Sequence, residues 1–181
     1  MFGLVPIAVG IVLAVMAPRA DILISGYDGI IAVRGADGLM SLSSVRREKF
    51  IRQEWMEREG LESVRTWPES GAQPEDFLNC DTKACRYRWQ DQAVSFVFAP
   101  DIFFEECAEA KIMIAPVVAL PKDLSNCRKK ILIMDRWDLK RSGAVAVYFN
   151  QNDVIIRTVA DERGQRPWTG FSFSKNPEYR K

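Results

Sequence analysis

Apolar residues are distributed unevenly along this chain, and the first apolar run stands apart from the others. Met1 to Pro18 contains no charged side chain, whereas an ordinary mixture of apolar and charged residues begins at Arg19. Eighteen helical residues span roughly 27 Å, close to the hydrocarbon thickness of about 30 Å. The pattern predicts a transmembrane helix over residues 1–18. A cleaved secretory signal and a buried core helix are the alternatives, but no basic residue precedes the run, as a signal would require.

Short apolar runs separated by turn residues follow this segment. Ile22 to Ser25, Ile30 to Arg34 and Leu39 to Leu42 are divided by the dipeptides Asp28-Gly29 and Asp37-Gly38. Asp-Gly between β-prone segments is a strong hairpin signal because glycine adopts positive φ without steric cost. We therefore predict a three-stranded meander.

A helical pattern replaces the strand pattern from Ser44 to about Arg58. Ser44 is a suitable N-cap, Ile51 and Trp55 lie four residues apart, and Gly60 stands just past the expected end. The remaining positions are densely charged, so only one narrow apolar face should pack.

The rest of the chain alternates short strands with short helices, after a loop expected from Thr66 to Asp81. Taken together, these elements predict an α+β (layered α/β) domain over residues 20–168, followed by a flexible tail at 169–181. The expected strands are Arg86–Gln90 and Ala93–Phe98 with a turn at Asp91, Lys111–Ala115, Ile131–Met134, Ala144–Phe149 and Val154–Val159, and the expected helices follow Pro100 and Asp135.

One predicted strand alternates aromatic and basic residues. Tyr87 and Trp89 alternate with Arg86 and Arg88, a pattern that can form a stacking surface for single-stranded nucleic acid. A strand with its aromatic face buried in the core is the more ordinary interpretation.

Charge is close to balanced overall but differs between the two parts of the chain. The formal net charge is +1, yet residues 1–127 hold 13 Lys and Arg against 18 Asp and Glu, and residues 128–181 hold 12 against 6. The basic C-terminal part is compatible with a polyanionic partner, and a solvated basic face is the alternative.

The chain contains no histidine. Zinc hydrolases, metallo-β-lactamase-type phosphodiesterases and Ser-His-Asp enzymes all use imidazole as a metal ligand or a base, so these classes are excluded for this chain alone. We expect no metal, no cofactor and no enzymatic activity. A hydrolase using the carboxylates Asp135 and Asp138 is the remaining enzymatic alternative.

Four cysteines are present, at positions 80, 85, 107 and 127. Their spacing does not match the paired Cys-x2-Cys pattern of structural zinc sites. In an oxidising compartment the even number allows two disulfides, with three connectivities, whereas four buried free thiols are the alternative.

Several segments in a fixed order resemble one family. After the hydrophobic helix come Asp21–Ser25 and Ile31–Gly35, then Lys111–Pro116, Ile131–Arg136 and Gly143-Ala144, and finally Arg163–Trp168. Over most of its length the chain resembles the C-terminal part of ComEC-type competence proteins. These are polytopic inner-membrane channels through which one DNA strand enters during natural transformation.

The resemblance implies a degenerate metallo-β-lactamase-like domain on the extracytoplasmic, periplasmic side of the inner membrane. Active relatives carry a His-His-Gly-like segment after the strand that here ends at Ala115-Pro116, but this chain reads Val117-Val118-Ala119-Leu120. We therefore expect a non-catalytic domain. The family also has many membrane helices and a channel domain upstream, so the chain resembles the tail of such a protein.

The function implied is participation in single-stranded DNA transport as part of a ComEC-like membrane DNA-uptake channel. The expected partners are the membrane, single-stranded DNA and the channel segments or other components of the competence apparatus. A membrane-anchored extracytoplasmic assembly module without nucleic-acid contact is the alternative. The residues expected to contact phosphates are Arg136, Arg141, Arg163 and Arg166, and Trp168 is expected to stack on a base.

An extracytoplasmic location also favours the disulfides over free thiols. If cysteines pair with their nearest neighbours along the chain, Cys80 bonds to Cys85 and Cys107 bonds to Cys127.

Overall fold

A computed structural model describes residues 4–26, 29–68, 77–90, 92–121, 125–150 and 153–164. These residues form a mixed α+β fold with six helices and two sheets. The helices are α1 (Leu4–Met16), α2 (Lys49–Glu59), α3 (Phe103–Glu109), α4 (Ser125–Arg128), α5 (Arg136–Ser142) and α6 (Val159–Arg163), and a 3-10 turn at Pro100–Ile102 precedes α3. The strands are β1 (Ile22–Ile24), β2 (Ile31–Arg34), β3 (Met40–Leu42), β4 (Arg65–Thr66), β5 (Leu78–Cys80), β6 (Ala84–Trp89), β7 (Gln92–Val97), β8 (Ile112–Ala115), β9 (Leu132–Asp135), β10 (Val145–Asn150) and β11 (Asp153–Thr158).

The first sheet has the strand order β11-β10-β1-β2-β3-β4. The predicted meander β1-β2-β3 is confirmed, and the C-terminal hairpin β10-β11 joins it because β10 pairs antiparallel with β1. This pairing places Ile22 opposite Val147 and thereby brings the two ends of the domain together.

The second sheet has the order β5-β6-β7-β8-β9. Strands β5 to β7 are antiparallel, whereas β7, β8 and β9 run parallel to one another. Parallel neighbours require crossover connections, and α3 and α4 lie in these connections.

The two sheets pack face to face, and helices cover both outer faces. The shared core contains Ile24 and Val145 of the first sheet and Phe96 and Ile114 of the second. On the outside of the first sheet, Ile51 and Trp55 of α2 pack against residues of β2 and β3. On the outside of the second sheet, Phe103 of α3 and Cys127 of α4 pack against β7, β8 and β9.

Tyr87 links the two sheets. Its ring stacks on Phe149 with centroids 6.2 Å apart, and its hydroxyl donates a 2.9 Å hydrogen bond to the carbonyl of Arg34. Burial raises the pKa of the Tyr87 hydroxyl well above its usual range. The core interpretation of this aromatic strand is therefore confirmed for Tyr87.

Two local predictions are wrong. The helix expected from Ser44 begins five residues later, at Lys49, because the Ser44 hydroxyl accepts from the amides of Arg46 and Arg47 and caps a turn instead. The segment expected to be a loop from Thr66 to Asp81 contributes β5, whose register is set by pairing with β6. The predicted turn at Asp91 and the tail at 169–181 lie outside the described residues.

Helix α1 stands apart from the packed core. Its valine, isoleucine and leucine side chains between Val5 and Leu13 are more than half exposed. Over the part of the chain that the structure describes, no helix combines the length and the apolar character needed to cross a bilayer. The transmembrane assignment of residues 1–18 stays a prediction.

Candidate nucleic-acid interface

Strand direction distinguishes the two ends of this sandwich. The chain enters β1 from α1 at Ile22, so we call this end the α1 end. At the other end, β1 finishes beside the loop that follows α5, where a Cβ on Gly26 would lie only 3.2 Å from the backbone carbon of Gly143. We call the second end the cleft end, because a cleft opens there.

The cleft has a volume of about 390 Å³ and lies between the ends of the two sheets. The apolar part of its lining includes Trp67 and Phe98, accompanied by prolines. Trp67 is held in place because its indole N–H donates to the carbonyl of Ser41 at 2.9 Å and its ring packs on Phe96 at 5.1 Å. The polar lining side chains are Ser43, Ser44, Arg47 and Asp81.

Pro116 and Val117 also line the cleft, directly after β8. This is the segment in which the family resemblance predicts that histidines have been replaced. A valine side chain can neither bind a metal nor transfer a proton. Among the described residues, no group of three or more cysteine or acidic side chains is close enough to hold a metal ion.

Asp81 stands at the mouth of the cleft with its carboxylate engaged. Burial opposes its ionisation, but hydrogen bonds from the amides of Lys83 and Ala84 and from Arg86 outweigh this effect, so its pKa is lowered. Arg86 also donates to the buried carboxylate of Glu106, and this hydrogen bond raises the pKa of the guanidinium further. Arg86 therefore belongs to an internal charge network. It gives no support to the prediction that its strand is a stacking surface for nucleic acid.

Helix α5 crosses the cleft end from the second sheet to the first. Its start is fixed by Asp135, whose carboxylate accepts 2.9 Å hydrogen bonds from the amides of Trp137 and Asp138, while Asp138 accepts from the amide of Asp135 at 3.1 Å. This reciprocal arrangement is a capping box. Leu139 is fully buried in the core between the sheets, so the opposite side of this short helix faces outward.

The outward side of α5 is aromatic and basic. Trp137 is 48% exposed. The guanidinium carbon of Arg136 lies 5.9 Å from the centroid of its ring, and the ammonium of Lys140 lies 5.5 Å from it. These distances are those of cation–π interactions.

Two further arginines are tied to the carboxylates at the start of α5. Arg141 forms an ion pair with Asp138, and Arg128 lies 3.3 Å from both Asp135 and Asp138. The two carboxylates that were the candidate catalytic pair thus cap a helix and bind arginines. Neither of them lines the cleft.

The structure brings together three of the five predicted DNA-binding residues. Arg136 and Arg141 lie on α5, and Arg163 lies on α6, which packs against α5. Arg166 and Trp168 lie outside the described residues. Sequence reasoning did not select Trp137 and Lys140, although their separation by three residues in a predicted helix is a signal that could have found them.

Both disulfides join the cysteines that are neighbours along the chain. Cys80 and Cys85 stand opposite each other on β5 and β6 and line the cleft, and Cys107 and Cys127 connect α3 to α4. This is the pairing expected from the sequence.

Comparison with protein-family models, with curated proteins and with solved structures finds no match for this chain.

Proposed function

We propose that this chain is the non-catalytic C-terminal part of a ComEC-like membrane DNA-uptake channel, and that its cleft end contacts the DNA strand during transport. The observation that carries the proposal is the placement of Arg136, Arg141 and Arg163 on two adjacent helices beside the exposed Trp137. Arginine and lysine side chains neutralise phosphates, and an exposed aromatic ring supplies a surface for stacking.

The arrangement of layers supports the degenerate metallo-β-lactamase-like fold that the resemblance implies. Two sheets pack face to face with helices outside both of them, and a cleft lies where β8 ends. The cleft presents Val117 at the position where an active relative would present histidine. This supports a domain that has kept a fold while losing the groups needed for metal-dependent hydrolysis.

Asp135 and Asp138, the alternative catalytic pair, have structural roles in this site. Asp135 and Asp138 accept hydrogen bonds from their own helix and from arginines. Both carboxylates are thus engaged in structural contacts, and neither lines the cleft. This favours a binding role for the cleft end over a hydrolytic one.

The test is DNA binding by the full chain in detergent at low salt. A triple variant, Arg136→Gln with Lys140→Gln and Arg163→Gln, should bind single-stranded DNA about tenfold or more weakly than wild type. Its salt dependence should also be smaller, by about 0.7 in the logarithmic slope for each phosphate that the variant no longer neutralises. The matched control removes three exposed cations that precede β8 and β9 at the α1 end, Lys111, Lys129 and Lys130, and should leave affinity nearly unchanged.

Three results would contradict the proposal. Wild type could show no affinity for DNA at low salt, or the control triple variant could weaken binding as much as the cleft-end variant. The third is cleavage of DNA by the pure protein that a chelator abolishes, which would overturn the non-catalytic assignment.

The assembly module is the second candidate function, and a separate observation favours it. Phe50 of α2 is 73% exposed and Phe104 of α3 is 64% exposed, on the helices that cover the two outer faces. Large apolar side chains at such positions are suited to burial against neighbouring channel segments. If this candidate is correct, Phe50→Ser with Phe104→Ser should reduce co-purification with co-expressed channel segments, and wild type should not bind DNA.

A further inference from the structure

Trp137 differs from the other tryptophans that the structure describes. Trp67 is buried, and Trp55 and Trp89 are partly buried against hydrophobic clusters. Trp137 is 48% exposed and belongs to none of these clusters. A single exposed aromatic side chain is ordinary by itself. The distinguishing feature of Trp137 is that two cations lie against its exposed ring.

The backbone of Trp137 is fixed by its neighbours. Its amide donates to Asp135 at 2.9 Å, and Leu139 anchors the opposite side of the same helix in the core. Only the side-chain torsions of Trp137 remain to be ordered when a ligand stacks on its ring, which limits the entropic cost of binding.

The charges around the ring indicate what kind of ligand it would take. Arg136 and Lys140 lie within 6 Å of its centroid, whereas the nearby Arg128 and Arg141 are ion-paired with Asp135 and Asp138. A planar group joined to an anion would satisfy the ring and the cations together. Nucleotides combine a flat base with a phosphate, so the surface is complementary to a nucleic-acid strand.

A membrane surface is the other partner that tryptophan and lysine side chains commonly contact. The topology argues against it, because α1 joins the domain at one end of the sandwich and α5 crosses the other. If α1 is the membrane anchor, Trp137 lies at the end away from it.

We infer that Trp137 stacks on an unpaired base of the bound strand, with Arg136 and Lys140 contacting adjacent phosphates, and that this site therefore selects single-stranded over duplex DNA. The inference rests on the proposed function and adds the residue that discriminates single-stranded from duplex DNA. Bases in a duplex are stacked on one another, so stacking on Trp137 would first require a base to be taken out of the helix, at a cost in free energy.

The experiment measures binding of the full chain to three probes of equal length: a mixed-sequence single strand, its duplex, and an abasic single strand. Trp137→Ala should weaken binding to the single strand by about 5- to 150-fold, the range that loss of one stacked base produces. Affinity for the abasic strand should be the same in wild type and in this variant. Trp137→Phe keeps an aromatic face and should restore most of the lost affinity.

The matched control is Phe104→Ala, which removes another exposed aromatic ring and should leave all three affinities unchanged. Tryptophan fluorescence gives an independent measurement. Addition of the single strand should quench the emission of wild type, and the quenching should be smaller for Trp137→Phe.

Two results would overturn the inference while leaving the proposed function intact: equal affinities of Trp137→Ala and wild type for the single strand, or a loss that is as large on the abasic strand. A third result would also overturn the inference. If Trp137→Ala loses binding to vesicles of anionic lipid while its DNA binding is unchanged, Trp137 contacts the membrane. If wild type binds no DNA, the proposed function fails and the inference fails with it.

Discussion

At the scale of single residues, Asp21 shows how burial makes the ionisation of a carboxyl group less favourable. It lies directly before β1, is buried, and accepts a 2.7 Å hydrogen bond from the amide of Phe149. Desolvation raises the pKa of Asp21, and the Phe149 hydrogen bond and the charge of Arg34 offset this only in part. Ionisation of Asp21 is therefore less favourable in the folded protein than in the unfolded chain.

The raised pKa of Asp21 predicts how the stability of the protein depends on pH. The contribution of Asp21 is fully present below its ordinary pKa of 3.8 and is lost as the pH rises through the higher folded value. Asp21→Asn keeps an oxygen that can accept from Phe149, so it should raise the thermal midpoint at neutral pH. The difference from wild type should vanish below about pH 4.

The control for this experiment is Asp37, whose pKa is shifted in the opposite direction. Asp37 is exposed, and the amide of Leu39, with Arg65, lowers its pKa. Asp37→Asn should reduce the midpoint at neutral pH, and this loss should disappear on acidification. Circular dichroism melts across the pH range measure both variants, and an Asp21→Asn midpoint below that of wild type at pH 7 would refute the assignment.

At the scale of elements, the two disulfides stabilise different parts of the second sheet. Cys80–Cys85 closes a hairpin that the amide of Asp81 already closes by donating to the carbonyl of Ala84 at 2.8 Å. Cys107–Cys127 joins α3 to α4 across 20 residues of chain. Closing a longer loop restricts the unfolded chain more strongly.

We expect the two bridges to differ in their contribution to the free energy of unfolding. Replacing Cys107 and Cys127 by alanine should cost about 3 kcal/mol, and replacing Cys80 and Cys85 should cost about 2 kcal/mol. Denaturant titration of the two double variants against wild type measures the difference. A larger loss of unfolding free energy on replacing Cys80 and Cys85 would contradict this expectation. It would show that the hairpin bridge stabilises the cleft more than loop length predicts.

At the scale of the whole molecule, α1 and the candidate interface lie at opposite ends of the sandwich. The described side chains of α1 are exposed, so the packed core makes no use of them. If residues 1–18 are a membrane anchor, binding and anchoring are separate properties of the chain.

Deletion of residues 1–18 tests this separation. The shortened protein should leave the membrane fraction for the soluble fraction, keep its melting temperature within a few degrees, and bind single-stranded DNA as the full chain does. Fractionation, a thermal melt and a binding titration give the three readouts. A full-length protein found in the soluble fraction would contradict the anchor, and a fall in DNA affinity on deletion would contradict the separation.

Much of the local structure could be predicted because it depends on neighbouring residues. Asp-Gly turns predicted the β1-β2-β3 meander, the Ile51 and Trp55 spacing predicted the packed face of α2, and nearest-neighbour pairing predicted both disulfides. The start of α2 was missed because Ser44 is a good cap for a turn as well as for a helix. Strand β5 was missed because a three-residue strand carries little pattern of its own and forms by pairing with β6.

By itself, the sequence determined the absence of histidine chemistry, the uneven charge, the strand periods and the arginines that a polyanion could contact. The tertiary structure alone decided which of these residues meet. Pairing of β1 with β10 joins positions more than 120 residues apart, and such contacts leave no local pattern because many registers satisfy the same alternation of apolar side chains. Only that pairing, with Leu139 buried in the core, places Trp137, Arg136 and Arg163 together at the cleft end and Asp135 in the cap of α5.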